Sequence, residues 1–176
     1  DGAYNTMLAR VQAEDNPNFF LLAYQRSDYR VQQLVLVPKH FVTVSMIAPR
    51  RNALKGRDNY LMCDPDIREL PESGKIPLVT AGKAIDPAHI QKQWQTHLFL
   101  RQQKAEKKGW LLAILHCLDQ LPAQFTLAQL YAFSDKLQKQ FPDNHHIQAK
   151  IRQQLQILRD QNLIEFSARG QYRKMA

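Results

Sequence analysis

The sequence predicts two folded regions, a mixed α/β part over residues 1–103 and, over residues 104–176, a mainly α domain that ends in a β-hairpin. Three observations predict it. Apolar, β-rich runs at 19–24 and 34–37 lie in the first part, three segments of helical periodicity lie in the second, and a polar, basic stretch at 102–108 followed by Gly109 separates the two. With 176 residues, 44% of them hydrophobic and 23% charged, the chain can bury one large core or two small ones.

In the first part, Met7, Leu8 and Val11 fall at helical spacing within residues 3–14, and Asn16-Pro17-Asn18 ends that short amphipathic helix. Phe19-Phe20-Leu21-Leu22-Ala23-Tyr24 and Leu34-Val35-Leu36-Val37 read as strands buried on both faces, with the Ser27-Asp28 turn between them. Beyond Pro38 and His40-Phe41-Val42-Thr43, residues 49–59 follow neither hydrophobic period and read as a basic surface loop. Residues 60–63 and 76–79 are two further strand candidates. Pro77 cannot donate to a ladder and pushes the second toward a sheet edge or an end. Asp86 as N-cap and Pro87 at the first helical position open a long helix through Trp94 and Leu98 toward Arg101.

In the second part, Trp110, Leu111, Ile114, Leu115 and Leu118 give a first helix its apolar face, and Leu121-Pro122 closes it. Thr126 N-caps a second helix, with Leu127, Leu130, Tyr131 and Phe133 facing inward. A third follows Pro142-Asp143-Asn144, where Asp143 or Asn144 can cap. Its apolar residues Ile147, Ile151, Leu155 and Leu158 recur at intervals of four, four and three, one stripe down one side. Residues 163–166 and 172–174 are strands of a hairpin around Ser167-Ala168-Arg169-Gly170-Gln171.

No stretch approaches the uninterrupted apolar length of a membrane span, and Asp1-Gly2-Ala3 carries neither a basic start nor an apolar leader, so the expected address is the cytoplasm. The chain opens without Met inside a predicted helix, which suggests that sequence upstream is missing. Cys63 and Cys117 stand 54 positions apart without CxxC spacing, which argues against a disulfide scaffold or a structural zinc site and for two buried, small hydrophobes. The formal charge of +8 is unevenly spread: residues 1–100 carry 12 basic and 10 acidic side chains, residues 101–176 carry 12 and 6. A polyanionic partner would meet the second part.

The third helix gives that charge a shape. At about 100° per residue, the side opposite its apolar stripe holds His145, His146, Ala149, Gln153 and Gln156, flanked by Lys150 and Arg152, with no acid until Asp160. Gln can pair bidentately with adenine, Arg and Lys reach guanine or phosphate, and small Ala149 permits close approach in a major groove. The hairpin carries Arg169, Gln171, Arg173 and Lys174 at its tip and return strand. Three helices and a basic hairpin are the elements of a winged-helix (helix-turn-helix) domain. Lys150, Arg169, Arg173 and Lys174 are expected on phosphates of double-stranded DNA, and His146, Ala149 and Gln153 on bases. The competing reading is a small helical bundle with a solvated polar face. A His145–His146 metal pair is not expected, because adjacent helical residues diverge and no third ligand is evident.

Asn144-His145-His146-Ile147-Gln148-Ala149-Lys150-Ile151-Arg152-Gln153-Gln154-Leu155, with Ile164-Glu165-Phe166 and Arg169-Gly170-Gln171-Tyr172-Arg173-Lys174, resembles the C-terminal domain of the DpnI and Dam-replacing protein family of methyl-directed type II restriction endonucleases. The resemblance extends upstream through Arg10-Val11-Gln12-Ala13, Asn16-Pro17-Asn18-Phe19-Phe20, Leu36-Val37-Pro38-Lys39-His40-Phe41-Val42 and Leu98-Phe99-Leu100-Arg101, nearly the whole chain. It implies that residues 1–103 are the α/β remnant of a PD-(D/E)XK nuclease domain, and that the partner is duplex GATC bearing methyladenine, bound by a monomer. It also implies that the catalytic Asp and Glu-x-Lys, their Mg²⁺ and a structural Zn²⁺ belong to sequence before Asp1, so that this chain has no catalytic residue or cofactor of its own.

Two departures qualify the resemblance. Pro65-Asp66 with Glu106-Lys107-Lys108 spells the nuclease motif only formally, since Glu106 falls in the basic linker, and the match is read as chance. The family's loop Trp corresponds to Tyr60 here, after a shorter, divergent 52–59 segment. Tyr60 is therefore either a contact to the methylated base or an ordinary strand aromatic. A regulator that binds DNA without cutting it is the alternative to the nuclease, and an Asp and Glu-x-Lys encoded upstream would decide between them.

Overall fold

The computed structural model describes residues 2–50 and 60–175, which divide into two units, Asp1–Ala105 and Glu106–Ala176. In the first unit, β1 (Gly2–Ala3) leads directly into α1 (Tyr4–Gln12), which is shorter at both ends than predicted. Val11 anchors its apolar side and is 7% exposed. A hairpin of β2 (Phe19–Tyr24) and β3 (Val31–Val37) follows, in register from Phe19 opposite Val37 to Leu22 opposite Leu34. Further along are β4 (Ile47–Pro49), β5 (Met62–Pro65), β6 (Ile76–Thr80) and β7 (Lys83–Ala84). They make two antiparallel sheets, ordered β1-β5-β4 and β2-β3-β6-β7. Val37, Phe41, Val42, Ile76 and Leu100 are almost wholly buried at the centre of this unit.

Four expectations for this unit are corrected. Strand β2 is not buried on both faces: Phe20, Leu22 and Tyr24 are 59, 56 and 48% exposed, because β2 is the outer strand of its sheet and alternate residues point away from the core. An unbroken apolar run carries no period from which that could be read. Second, Pro49 ends a strand rather than opening a loop: β4 pairs with β5, Ile47 opposite Pro65, and Arg50 is locked to Asp64 by bonds of 2.6 and 2.7 Å. The rest of the expected loop, residues 51–59, lies outside the described residues. Third, Tyr60 and Leu61 precede β5 instead of belonging to it, and Leu61 accepts from the Tyr4 amide.

Fourth, the helix expected to reach Arg101 is α2 (Pro87–Thr96), capped by the Asp86 carboxylate on the Ala88 amide, and it stops at His97. The chain continues as a 3-10 helix, Leu98–Gln102. That tighter winding buries Leu100 completely and leaves the His97 ring packed between Phe41 and Phe99, at 5.3 and 6.4 Å. Burial holds the His97 pKa below its ordinary value, partly offset by a hydrogen bond with the Gln93 backbone, and His97 Nδ1 has no hydrogen-bond partner. Pro77 behaves as its chemistry requires: β7 pairs only with Val79 and Thr80, so at Pro77 the strand has β3 alone as neighbour, beside a register shift.

In the second unit, α3 (Ala105–Asp119) begins before Gly109, so residues read as a linker are its first turn. Eight residues from Trp110 to Leu118 are buried on nearly every side of this helix, and Glu106 suits its positive N-terminal end. Gly109 leaves room for Phe141, whose ring stacks on Trp110 at 3.9 Å. The predicted second helix is two: α4 (Leu127–Tyr131) ends near Phe133, and α5 (Ser134–Gln140) follows. Splitting the helix lets Leu130 and Leu137 both reach zero exposure. Thr126 caps α4 in a reciprocal box with Gln129. The third predicted helix is α6 (Ile147–Asp160), with Ile147, Ile151, Leu155 and Leu158 all buried as the stripe requires. Phe125-Thr126, expected to open a helix, lie in β8 (Gln124–Thr126), which joins β9 (Ile164–Ala168) and β10 (Gln171–Lys174) in the order β8-β10-β9. The wing is therefore a three-stranded sheet rather than a two-stranded hairpin.

Cys63 and Cys117 are both buried, and no helix among the described residues is long and apolar enough to cross a membrane.

Candidate nucleic-acid interface

Helix α6 sorts its side chains by angle. Ala149, Arg152, Gln153 and Gln156 are exposed together on the side away from the buried stripe, with Gln148 exposed in the first turn. Gln153 makes one long contact, its side-chain oxygen accepting from Gln154 at 3.4 Å. Gln154 itself is wholly buried, which the four-four-three spacing had not marked, and its Oε1 has no partner.

The histidines expected on this face are not helical. Helix α6 starts at Ile147, with His146 as its cap residue at φ −128° and His145 in the preceding turn. Asn144 accepts from the His146 amide at 2.9 Å and so bends the chain into the helix. Both histidines are exposed and line, with Ser134, Asp135 and Gln138 of α5 and with Gln148 and Ala149, a cleft of about 430 Å³ at the turn between the two helices.

The predicted cations divide more sharply. Lys150 turns away from the face: its Nζ lies 5.9 Å from the Trp110 ring centre and 3.8 Å from Glu106. Arg173 is ion-paired with Glu165 on the facing strand, its Nε donating at 2.5 Å. Lys174 donates to the Leu121 carbonyl at 2.7 Å. Arg152 donates to the Tyr131 hydroxyl at 2.6 Å. Arg169 occupies the two-residue turn of the wing beside Gly170, whose φ of +70° suits a residue without a side chain. Arg169 is exposed and has no partner among the described residues, and Gln171 beside it is also exposed. Burial lowers the pKa of Lys108, a residue of α3. Thus the formal motif residues Glu106 and Lys108 sit on a structural helix, while Asp66 is bound to Arg68, which holds its carboxyl down at about 2.

Sequence reasoning missed Tyr131 as a polar partner, having assigned it inward as a core residue. Its bond to Arg152 joins positions 21 apart on two helices, which no local period could signal. Burial raises the pKa of Tyr172 on β10, the nearby Tyr131 also raises it and Arg152 opposes, so the wing strand adjoins this pair. Among the described residues no group of three or more His, Cys, Asp and Glu is gathered to hold a metal.

Four helices, α3 to α6, together with a three-stranded wing, a polar helix face and an arginine at the wing turn, define a winged helix-turn-helix module of the DNA-binding class. The family comparison agrees with that class. A model described as the Dam-replacing HTH domain matches residues 106–174, and one described as the Dam-replacing family matches residues 1–103. The chain belongs to the Dam-replacing family.

Proposed function

We propose that Glu106–Ala176 recognises duplex DNA containing GATC with methylated adenine, as the reading module of a methyl-directed type II restriction endonuclease acting as a monomer in the cytoplasm. Asp1–Ala105 is, on this reading, the later part of a PD-(D/E)XK nuclease domain. Its cutting chemistry, with Mg²⁺, and a structural Zn²⁺ are assigned to residues outside these 176. The observation that carries the proposal is the α6 face, where Ala149, Arg152, Gln153 and Gln156 stand exposed together in a helix-turn-helix domain whose wing turn carries the exposed Arg169. Amide side chains and a guanidinium match the donor and acceptor pattern of adenine and guanine in the major groove, and the wing turn supplies a phosphate contact that sets register. Tyr60, half-buried at the entry to β5, is the residue of the first unit assigned to the methylated base.

A gel-shift titration of the chain against matched GATC duplexes, with and without adenine methylation at physiological salt, tests this function. Tighter binding to the methylated duplex is expected. Equal binding would remove methyl recognition from these residues and leave a general duplex-binding module.

A further inference from the structure

Arg152 differs from three other cations of the second unit in the chemistry of its partner. Arg173, Arg159 and Lys150 each lie beside a carboxylate, Glu165, Asp160 and Glu106 respectively. A carboxylate neutralises the cation it holds. The Tyr131 hydroxyl that accepts from Arg152 Nη1 at 2.6 Å is neutral: it fixes the direction of the guanidinium and leaves the charge whole. Of the five guanidinium N–H groups only one is used there, so a two-donor edge stays available. Arg152 is exposed, one turn beyond Ala149 and next to Gln153, so that edge stands on the face assigned to bases. Tyr131 is itself held by short helix α4, whose Leu130 is wholly buried, and is therefore a fixed support rather than a mobile one.

We infer that Arg152 reads a guanine through its O6 and N7 acceptors, and that Tyr131 is the positioning residue that aligns it. This rests on the proposed binding of GATC, which presents one guanine on each strand. Two parallel N–H donors spaced to meet O6 and N7 reject adenine, whose N6 amino group presents a donor where guanine has an acceptor. Without the Tyr131 hydroxyl the guanidinium gains rotamers, and each must be ordered again on binding.

The test uses the full chain as wild type, Tyr131→Phe, Arg152→Ala and the double variant, titrated against the methylated GATC duplex and the same duplex with 7-deazaguanine, which lacks N7. Wild type should bind the 7-deazaguanine duplex about tenfold more weakly. Arg152→Ala should lose about tenfold on the guanine duplex and become indifferent to 7-deazaguanine. Tyr131→Phe should lose about threefold to tenfold on the guanine duplex with a reduced 7-deazaguanine penalty, and the double variant should match Arg152→Ala alone. Additive losses in the double variant, an equal loss on every duplex from Tyr131→Phe, or a full 7-deazaguanine penalty in Arg152→Ala would each overturn the inference. Arg152 would then be a phosphate contact, or Tyr131 only a packing residue. If Tyr131→Phe fails to fold, Arg152→Ala and the modified base still decide the guanine contact. A wild-type chain that binds no duplex would instead refute the proposed function.

Discussion

The outward face of α6 and the wing are both polar in sequence, yet the structure treats them differently. On the wing, Arg173 is held by Glu165 and Lys174 by the Leu121 carbonyl, leaving Arg169 at the turn as the exposed cation without a partner among the described residues. On the helix face, Gln153 and Gln156 are exposed amides and Arg152 is oriented without being neutralised. A count of basic residues therefore overstates how many charges are ready for phosphates, and a count of amides better represents what is ready for bases. On the proposed function, the second unit combines few unpaired wing cations with a directional reading surface on α6.

The largest effect expected from breaking this arrangement lies on the buried side of the same helix. Leu155→Ala, at a site with no exposure, should cost about 2 to 5 kcal/mol of stability by urea unfolding, whereas Gln156→Ala should stay within about 0.5 kcal/mol. The wing is tested by salt dependence. Arg169→Ala should lower the slope of log affinity against log salt by about one, with loss on all duplexes alike, while Arg173→Ala should change it less. Glu165→Gln, which releases Arg173, should steepen the slope and tighten non-specific binding. Equal slopes for the two arginine variants would show that the Glu165 pairing does not persist against DNA.

The smallest effect expected belongs to the first unit and to pH. Burial depresses the His97 pKa, so the unfolded chain binds its proton at higher pH than the folded one. Its contribution is undiminished above the ordinary value of about 6.5 and declines as pH falls through that value toward the lower folded one. In thermal melts from pH 7.5 to 5, wild type should lose more stability than His97→Phe. Parallel losses would assign the acid sensitivity to other groups.

What the sequence made legible follows from the range of the interactions involved. The Asp86-Pro87 cap, the Thr126 cap and the Ile147–Leu158 stripe are local, set by residues a few positions apart, and each is found where predicted. The exposed face of β2, the helical start at Ala105 and the third wing strand β8 depend on neighbours distant in sequence. The site divides in the same way. Ala149, Arg152 and Gln153 share a face because helical angle is a local property, whereas the pairing of Lys150 with Glu106 and of Arg152 with Tyr131 required the tertiary fold. His145 and His146 fit the helical period of the sequence, but the Asn144 turn delays the start of α6 to Ile147.

Base reading by α6 is the central claim, and Gln153→Ala tests it most directly. Fluorescence-anisotropy titrations of the variant and the wild-type chain, against the methylated GATC duplex and a scrambled duplex of equal length, separate reading from attraction. The account predicts a loss of about 1 to 3 kcal/mol on the GATC duplex and little change on the scrambled one. An equal loss on both duplexes, or none on either, would contradict it.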